Sequence, residues 1–197
     1  MKTLFITVLL LLTGCNQEEQ STLVDDGLNI EVETPQINED DEFLDLLDSL
    51  LDLSELRPVG QADKGFVMIP NDWLNFQDVA GGTDLQFSDV VGWNIVTLNI
   101  IDLGEMNLST LEVAEATYHF LQDGGGVSVN MSGAVTIDGL SGYRFTVYYP
   151  TSGKELTTWI LERTDGLLQY ISIEGSPSDM EKLEYLVQST FSQTPIE

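Results

Sequence analysis

One cysteine and one histidine limit the chemistry that this chain of 197 residues can perform. With Cys15 alone, the chain can form no internal disulfide and no zinc site built from several cysteines. A catalytic triad would have to use His119, which follows Glu115 by four residues and reads more simply as part of an exposed helical pair. The segment Gly139-Leu140-Ser141-Gly142 lacks the spacing of a nucleophile elbow. The residue types therefore predict no catalytic residues, no metal site and no cofactor.

Carboxylates are the one abundant chemical group. The chain carries 33 acidic and 7 basic residues, for a net charge of −26. Binding to nucleic acid requires clustered Lys and Arg, so the charge excludes nucleic acid as a partner. Divalent cations remain a candidate ligand, although the dense acids at Glu39–Glu42 are not arranged as an Asp-x-Asp-x-Asp-Gly loop.

The surroundings of Cys15 indicate export. Lys2 is followed by the apolar run Leu4 to Leu12, which is too short to cross a bilayer, and then by Leu12-Thr13-Gly14. Residues 12–15 resemble the processing site of bacterial lipoproteins. This resemblance implies that residues 1–14 are a signal peptide and that Cys15 is diacylated, with palmitate-type chains. It also implies anchorage to a bacterial cell membrane, facing the extracytoplasmic side.

Residues 15–60 are predicted to form an acidic, disordered tether, because no basic residue occurs between Lys2 and Arg57. One stretch, residues 40–54, has helical periodicity and could form an amphipathic helix. Its apolar positions are Phe43, Leu46, Leu47 and Leu50. An apolar face of this kind should be buried, either against the chain's own domain or in a groove on a partner, unless the segment stays partly disordered.

Residues 61–197 are predicted to fold as one α+β domain. Strands are expected at residues 66–70, 83–87, 93–101, 127–137, 140–149, 155–164 and 167–174. A helix should begin with the capping box at Ser109, with Leu111, Ala114, Tyr118 and Leu121 on its apolar face. A second should begin at Ser176-Pro177. Short turns make consecutive strands antiparallel, so the pattern predicts a sheet of about six strands sandwiched between helices.

Three stretches of this domain resemble the PsbP-like family, which includes a photosystem II extrinsic subunit, a Ran-binding nuclear-import factor and, similarly, DcrB-type bacterial lipoproteins. They are Phe66-Val67-Met68-Ile69-Pro70 with Trp73, Gly139 to Phe145, and Gln169 to Gly175 continuing to Ser189-Thr190-Phe191. The matching residues are core and turn positions, so the resemblance implies a fold without shared catalytic residues. It implies an accessory or binding protein rather than an enzyme.

Together these features predict a non-enzymatic, membrane-anchored lipoprotein that acts as an interaction or accessory module for an envelope protein. Two contact surfaces are predicted: the helix at Phe43–Leu50, and exposed sheet aromatics at Tyr148 and Trp159. The alternative is a lipoprotein that binds a small ligand or a divalent cation.

Overall fold

A computed structural model describes residues 53–77, 82 and 84–196. In this part of the chain the backbone forms strands β1–β9 and helices α1 and α2. In chain order they are β1 (Leu56–Gln61), β2 (Gly65–Pro70), β3 (Leu74–Phe76), β4 (Leu85–Ser88), β5 (Ile95–Ile101), α1 (Thr110–Asp123), β6 (Val127–Ile137), β7 (Leu140–Tyr149), β8 (Lys154–Glu162), β9 (Leu168–Gly175) and α2 (Pro177–Thr190).

Seven of the strands form one sheet in the order β3-β4-β5-β9-β8-β7-β6, and every neighbouring pair is antiparallel. β1 and β2 form a separate antiparallel hairpin. The α+β fold with an antiparallel sheet between helices is confirmed. The strands differ from the prediction in two ways. β1 and β3 were not predicted, and β2 belongs to the hairpin rather than to the main sheet.

The sheet has a core on each face. On one face, α2 and the β1–β2 hairpin cover residues such as Trp159 and Ile171, with Leu183 and Val187 supplied by α2. On the other face, α1 covers β7 and β8, where Val113, Ala114 and Leu121 pack with Phe145, Val147, Leu156 and Ile160. Strands with apolar residues on both faces need cover on both sides, as the sequence pattern indicated.

The helix starts and the hairpin turn follow the sequence signals. Ser109 and Glu112 form a complete capping box, and this hydrogen bonding from Ser109 lowers the pKa of Glu112. Ser176 caps α2, with Pro177 in its first turn. Asp138 and Gly139 both have positive φ, as a two-residue hairpin turn requires. The predicted apolar face of α1 was wrong at one position.

The wrongly predicted position on the apolar face of α1 is Leu111, which is 38% exposed. Val113 is buried instead, because α1 is rotated so that Thr110, Val113, Ala114, Thr117 and Leu121 face the sheet. Helix α2 buries Met180, Leu183, Leu186 and Val187, and Phe191 directly after its last turn is buried as well.

The folded domain begins before the predicted boundary at residue 61. β1 lies inside the predicted tether, and Leu53 packs against the core on the α2 face. Arg57 holds this segment in place by donating to the carbonyl oxygens of Trp73 at 2.7 Å and Asn71 at 3.3 Å. The chain's C-terminal end returns to the same hairpin, where Phe66 and Ser192 exchange two backbone hydrogen bonds of 2.8 and 2.9 Å. The predicted helix at residues 40–54 lies outside the described residues, apart from its last two positions, which are not helical.

Candidate interaction site

The residues predicted to process and anchor the chain, Leu12, Thr13, Gly14 and Cys15, lie outside the described part of the structure. The predicted contact residues Phe43, Leu46, Leu47 and Leu50 also lie outside it. Among the described residues, none of the helices combines the length and apolar character needed to cross a membrane.

Trp159, one of the two predicted sheet aromatics, is 1% exposed and belongs to the core on the α2 face. The guanidinium of Arg144 lies 6.0 Å from the centre of its ring. Trp159 therefore cannot form part of an exposed patch in this arrangement. Tyr148 is half-buried and lies opposite Glu155 on β8 and Val127 on β6. The sequence pattern placed each aromatic in its strand, but it could not show how far α2 would cover it.

His119 occupies the exposed side of α1, as predicted. Its Nδ1 lies 3.3 Å from Oε1 of Gln122, and its ring lies against that of Tyr118. Within residues 53–77, 82 and 84–196, no group of three or more His, Cys, Asp or Glu side chains is arranged to hold a metal ion.

A loop that the sequence did not single out carries the most exposed pair of adjacent apolar side chains in the described structure. This β4–β5 loop consists of Asp89–Asn94. Val90 and Val91 at its tip, which we call the apolar tip, are 65% and 63% exposed. Leu74 lies at the same end of the sheet, opposite Ser88 at the start of the loop, and is 56% exposed. Exposed apolar side chains clustered at one end of a sheet make this end a candidate contact surface.

The Asp89 carboxylate holds the loop from inside. Asp89 is 2% exposed, and its Oδ1 and Oδ2 accept hydrogen bonds from the backbone N–H groups of Trp93 at 2.8 Å and Asn94 at 2.9 Å. The Asp89 backbone closes the same loop through hydrogen bonds to Asn94 and Gly92, each of 3.1 Å. Bonds between backbone N–H groups and a buried carboxylate are among the strong hydrogen bonds of proteins, so they fix the conformation of the loop.

Lys154 braces the loop from β8. Its ammonium group donates to the Gly92 carbonyl oxygen at 3.2 Å and to Glu174 Oε1 at 2.8 Å. The same group lies 5.1 Å from the centre of the Trp93 ring, which is a cation–π distance. The loop between two strands is therefore tied to two other strands, β8 and β9.

The base of the loop is packed as closely as the core. Asn94 is fully buried, and a Cβ atom on Gly175 would lie 2.4 Å from its Oδ1. Only glycine at position 175 leaves room for the Asn94 amide. Beside this base, burial and the nearby Glu174 raise the pKa of Tyr149 to about 12, so its hydroxyl stays neutral at physiological pH.

A second polar cluster lies between the sheet and α2. Arg144 pairs with Glu184, and Glu184 also accepts a 3.1 Å hydrogen bond from Thr157. The hydroxyls of Thr157 and Thr146 lie 2.8 Å apart. Burial, and then the negative charge of Glu184, raise the pKa of Glu155 beside this cluster, while Arg144 opposes the shift. The described partners pair these charges with one another, so the cluster serves to fasten α2 to the sheet.

The sequence did contain a signal for the β4–β5 loop. Asp89-Val90-Val91-Gly92 has a turn-forming residue at each end, which is typical of a tight loop. The predicted strands end at residue 87 and resume at residue 93, so a connection was expected between them, but its valines were not recognised as a contact surface. The support from Lys154 could not be predicted, because it depends on β8 lying near a loop 62 residues earlier in the chain.

Comparison with known proteins identifies the fold. No protein-family model and no curated protein sequence matches this chain. CyanoP, the PsbP of Synechocystis sp. PCC 6803, has a TM-score of 0.51 at 15% identity over 72% of this chain and 94% of its own. LpqN, involved in cell envelope biogenesis in Mycobacterium tuberculosis, gives 0.42 at 14% over 76% and 95%. The Ran-binding protein Mog1p of Saccharomyces cerevisiae gives 0.41 at 8% over 71% and 86%.

At these identities the similarity concerns the fold. The match to CyanoP confirms that the described domain has the PsbP-like fold that the sequence resemblance implied.

Proposed function

We propose that this protein is a non-enzymatic lipoprotein, anchored through Cys15 to the outer face of a bacterial cell membrane, whose PsbP-like domain is an interaction module for another envelope protein. The processing pattern at residues 12–15 supports the anchor. The apolar tip supports the interaction, and it is the observation on which the proposal chiefly rests.

The apolar tip has two properties that favour contact with another protein. It offers exposed apolar area, whose removal from water contributes a gross hydrophobic free energy of about 25 cal/mol per Å², before the costs of association are subtracted. It is also held in one conformation by Asp89 and Lys154, so little conformational entropy would be lost when a partner binds.

The proposal is tested by photo-crosslinking in the cells that naturally make the protein. A photoreactive residue at position 91 should capture one abundant envelope protein, identified by mass spectrometry. The same residue at Glu115, exposed on α1, is the matched control and should not capture it. Changing Val90→Ser and Val91→Ser together should abolish capture by a crosslinker at position 74. Equal capture from positions 91 and 115 would contradict the proposed contact.

Two further variants separate the parts of the proposal. Cys15→Ser should release the protein from the membrane fraction while leaving the apolar tip intact. Leu46→Asp with Leu50→Asp tests the predicted helix as the contact. Loss of capture in that double variant, with unchanged capture in the Val90/Val91 variant, would move the contact from the β4–β5 loop to the helix.

A further inference from the structure

β6 forms one edge of the seven-stranded sheet. It pairs with β7 on one side, and no described strand pairs with its other side. With 11 residues it is the longest strand of the described structure, whereas β3 at the opposite edge has 3. An unpaired edge presents a row of backbone N–H and C=O groups that can pair with a further strand.

The β6 edge has no charge, in contrast with the rest of the chain. No charged residue occurs between Asp123 and Asp138, in a chain with a net charge of −26. Natural edge strands commonly carry Lys, Pro or bulges, which hinder pairing with other chains, and of these β6 contains neither Lys nor Pro. Val127 and Met131 are 54% and 37% exposed along it.

The regularity of β6 is broken at two places. The pairing with β7 shifts register between Ser128 and Asn130 and again between Ser132 and Val135. Such irregularities bend a strand and interrupt its ladder of hydrogen bonds. The edge that no described strand covers therefore consists of short regular stretches, which limit the length of any added pairing and suit a reversible contact rather than a permanent one.

We propose that β6 is a self-association edge, on which the occupant is β6 of a second copy of this chain, paired antiparallel about a two-fold axis. A second copy is favoured by the contrast between the uncharged β6 and the acidic remainder of the chain. Two such strongly acidic chains repel each other wherever acidic surfaces meet, and antiparallel pairing of β6 with itself places uncharged residues opposite uncharged residues. A basic peptide would gain nothing from this edge, which offers it no carboxylate. The inference goes beyond the proposed function and does not depend on it.

The geometry gives a sharp test by cysteine crosslinking. In antiparallel pairing, equivalent residues separate by about 7 Å for each position away from the two-fold axis, because a strand rises about 3.4 Å per residue. A disulfide requires Cα atoms within about 7 Å of each other. Single cysteines are introduced in turn at positions 130–136. Those at one or two adjacent positions should form disulfide-linked dimers, and the yield of dimer should fall at the positions on both sides.

The scan uses the full chain in its own cells, with mild oxidation and non-reducing electrophoresis. The parent chain controls for Cys15, and Tyr185→Cys, at a 72% exposed position on α2, controls for random collision. A maximum yield of dimer at least about tenfold above that of Tyr185→Cys supports the proposal. Equal crosslinking at all seven positions would indicate parallel pairing and overturn it. No dimer above the control, or a disulfide to a different protein, would also overturn it.

A second measurement uses the purified protein in detergent. Met131→Glu places two like charges at the proposed interface, and Tyr185→Glu makes the same change of charge elsewhere. By sedimentation velocity, Met131→Glu should raise the dimer dissociation constant by about tenfold or more, and Tyr185→Glu should leave it unchanged. Equal effects of the two substitutions would show that net charge, rather than the β6 edge, controls association, and would overturn the proposal.

Discussion

Replacement of Asp89 tests whether the β4–β5 loop is held by its buried carboxylate. Asp89→Ala leaves the backbone N–H groups of Trp93 and Asn94 without their acceptor at 2.8 and 2.9 Å. Hydrogen bonds to a charged group contribute about 1.5–3 kcal/mol each, and part of that is regained when the opened loop is solvated. We expect the free energy of unfolding to fall by about 2–4 kcal/mol. A domain with a stability of about 5–15 kcal/mol should remain folded.

Asp89→Asn refines this prediction. The amide keeps one acceptor oxygen and turns an N–H donor toward the other backbone N–H, so the loss should be smaller than for Ala but clearly measurable. Asp102→Ala is the matched control, because the Asp102 carboxylate accepts a 2.8 Å backbone hydrogen bond from Gly104 in an exposed turn. That change should cost less than about 0.5 kcal/mol, as is usual for surface substitutions.

The assay is equilibrium unfolding in urea, followed by tryptophan fluorescence. Trp93 lies in the loop, whereas Trp73 and Trp159 are buried in the core. An Asp89→Ala protein should therefore show altered fluorescence before unfolding as well as a lower midpoint. If Asp89→Ala and Asp102→Ala have equal effects, the carboxylate does not organise the loop. The support for a rigid apolar tip would then be lost.

Two further predictions concern packing and charge. Gly175→Ala should destabilise the domain by about 1–3 kcal/mol, because the new methyl group would meet Asn94 Oδ1. Gly124→Ala, where the nearest atom would be 3.4 Å away, should change the midpoint of thermal unfolding much less. The raised pKa of Glu155 means that the folded state favours its protonated form, so its ionisation costs stability as pH rises through that pKa. The Glu155→Gln variant should therefore be more stable than the parent protein at pH 7 but not at pH 3. An equal increase in the midpoint of thermal unfolding at both pH values would refute this prediction. Glu184→Gln should reduce that pH-dependent gain, since Glu184 contributes to the shift.

The sequence predicted those parts of the fold that depend on local patterns. The strands from β6 to β9 and the starts of both helices follow from alternation, turn residues and caps, and they were placed within about two residues. β1 was missed because Pro58 and Gly60 are unusual in strands. The hairpin tolerates them, since among the described strands β1 pairs only with β2, and its own Arg57 side chain donates to the carbonyl oxygen of Trp73.

The candidate site was harder to predict than the fold, for a physical reason. Exposure depends on which residues a distant helix covers, so the sequence pattern placed Trp159 in the correct strand without revealing that it is buried on the face covered by α2. Asp89 matters because its side chain accepts hydrogen bonds from the backbone of its own loop. Lys154 matters because it contacts that loop from another strand of the sheet. Neither contact produces periodicity in the sequence.

The brace between Lys154 and the β4–β5 loop also has a consequence for biosynthesis. Strands β4 and β5 leave the ribosome long before β8 and β9, so during synthesis the loop exists without Lys154 or Glu174 to hold it. The loop that carries the apolar tip therefore acquires its support from Lys154 only when nearly the whole domain has been made and its sheet has closed. A partner that recognises the supported loop would therefore bind complete, folded molecules in preference to nascent or truncated ones.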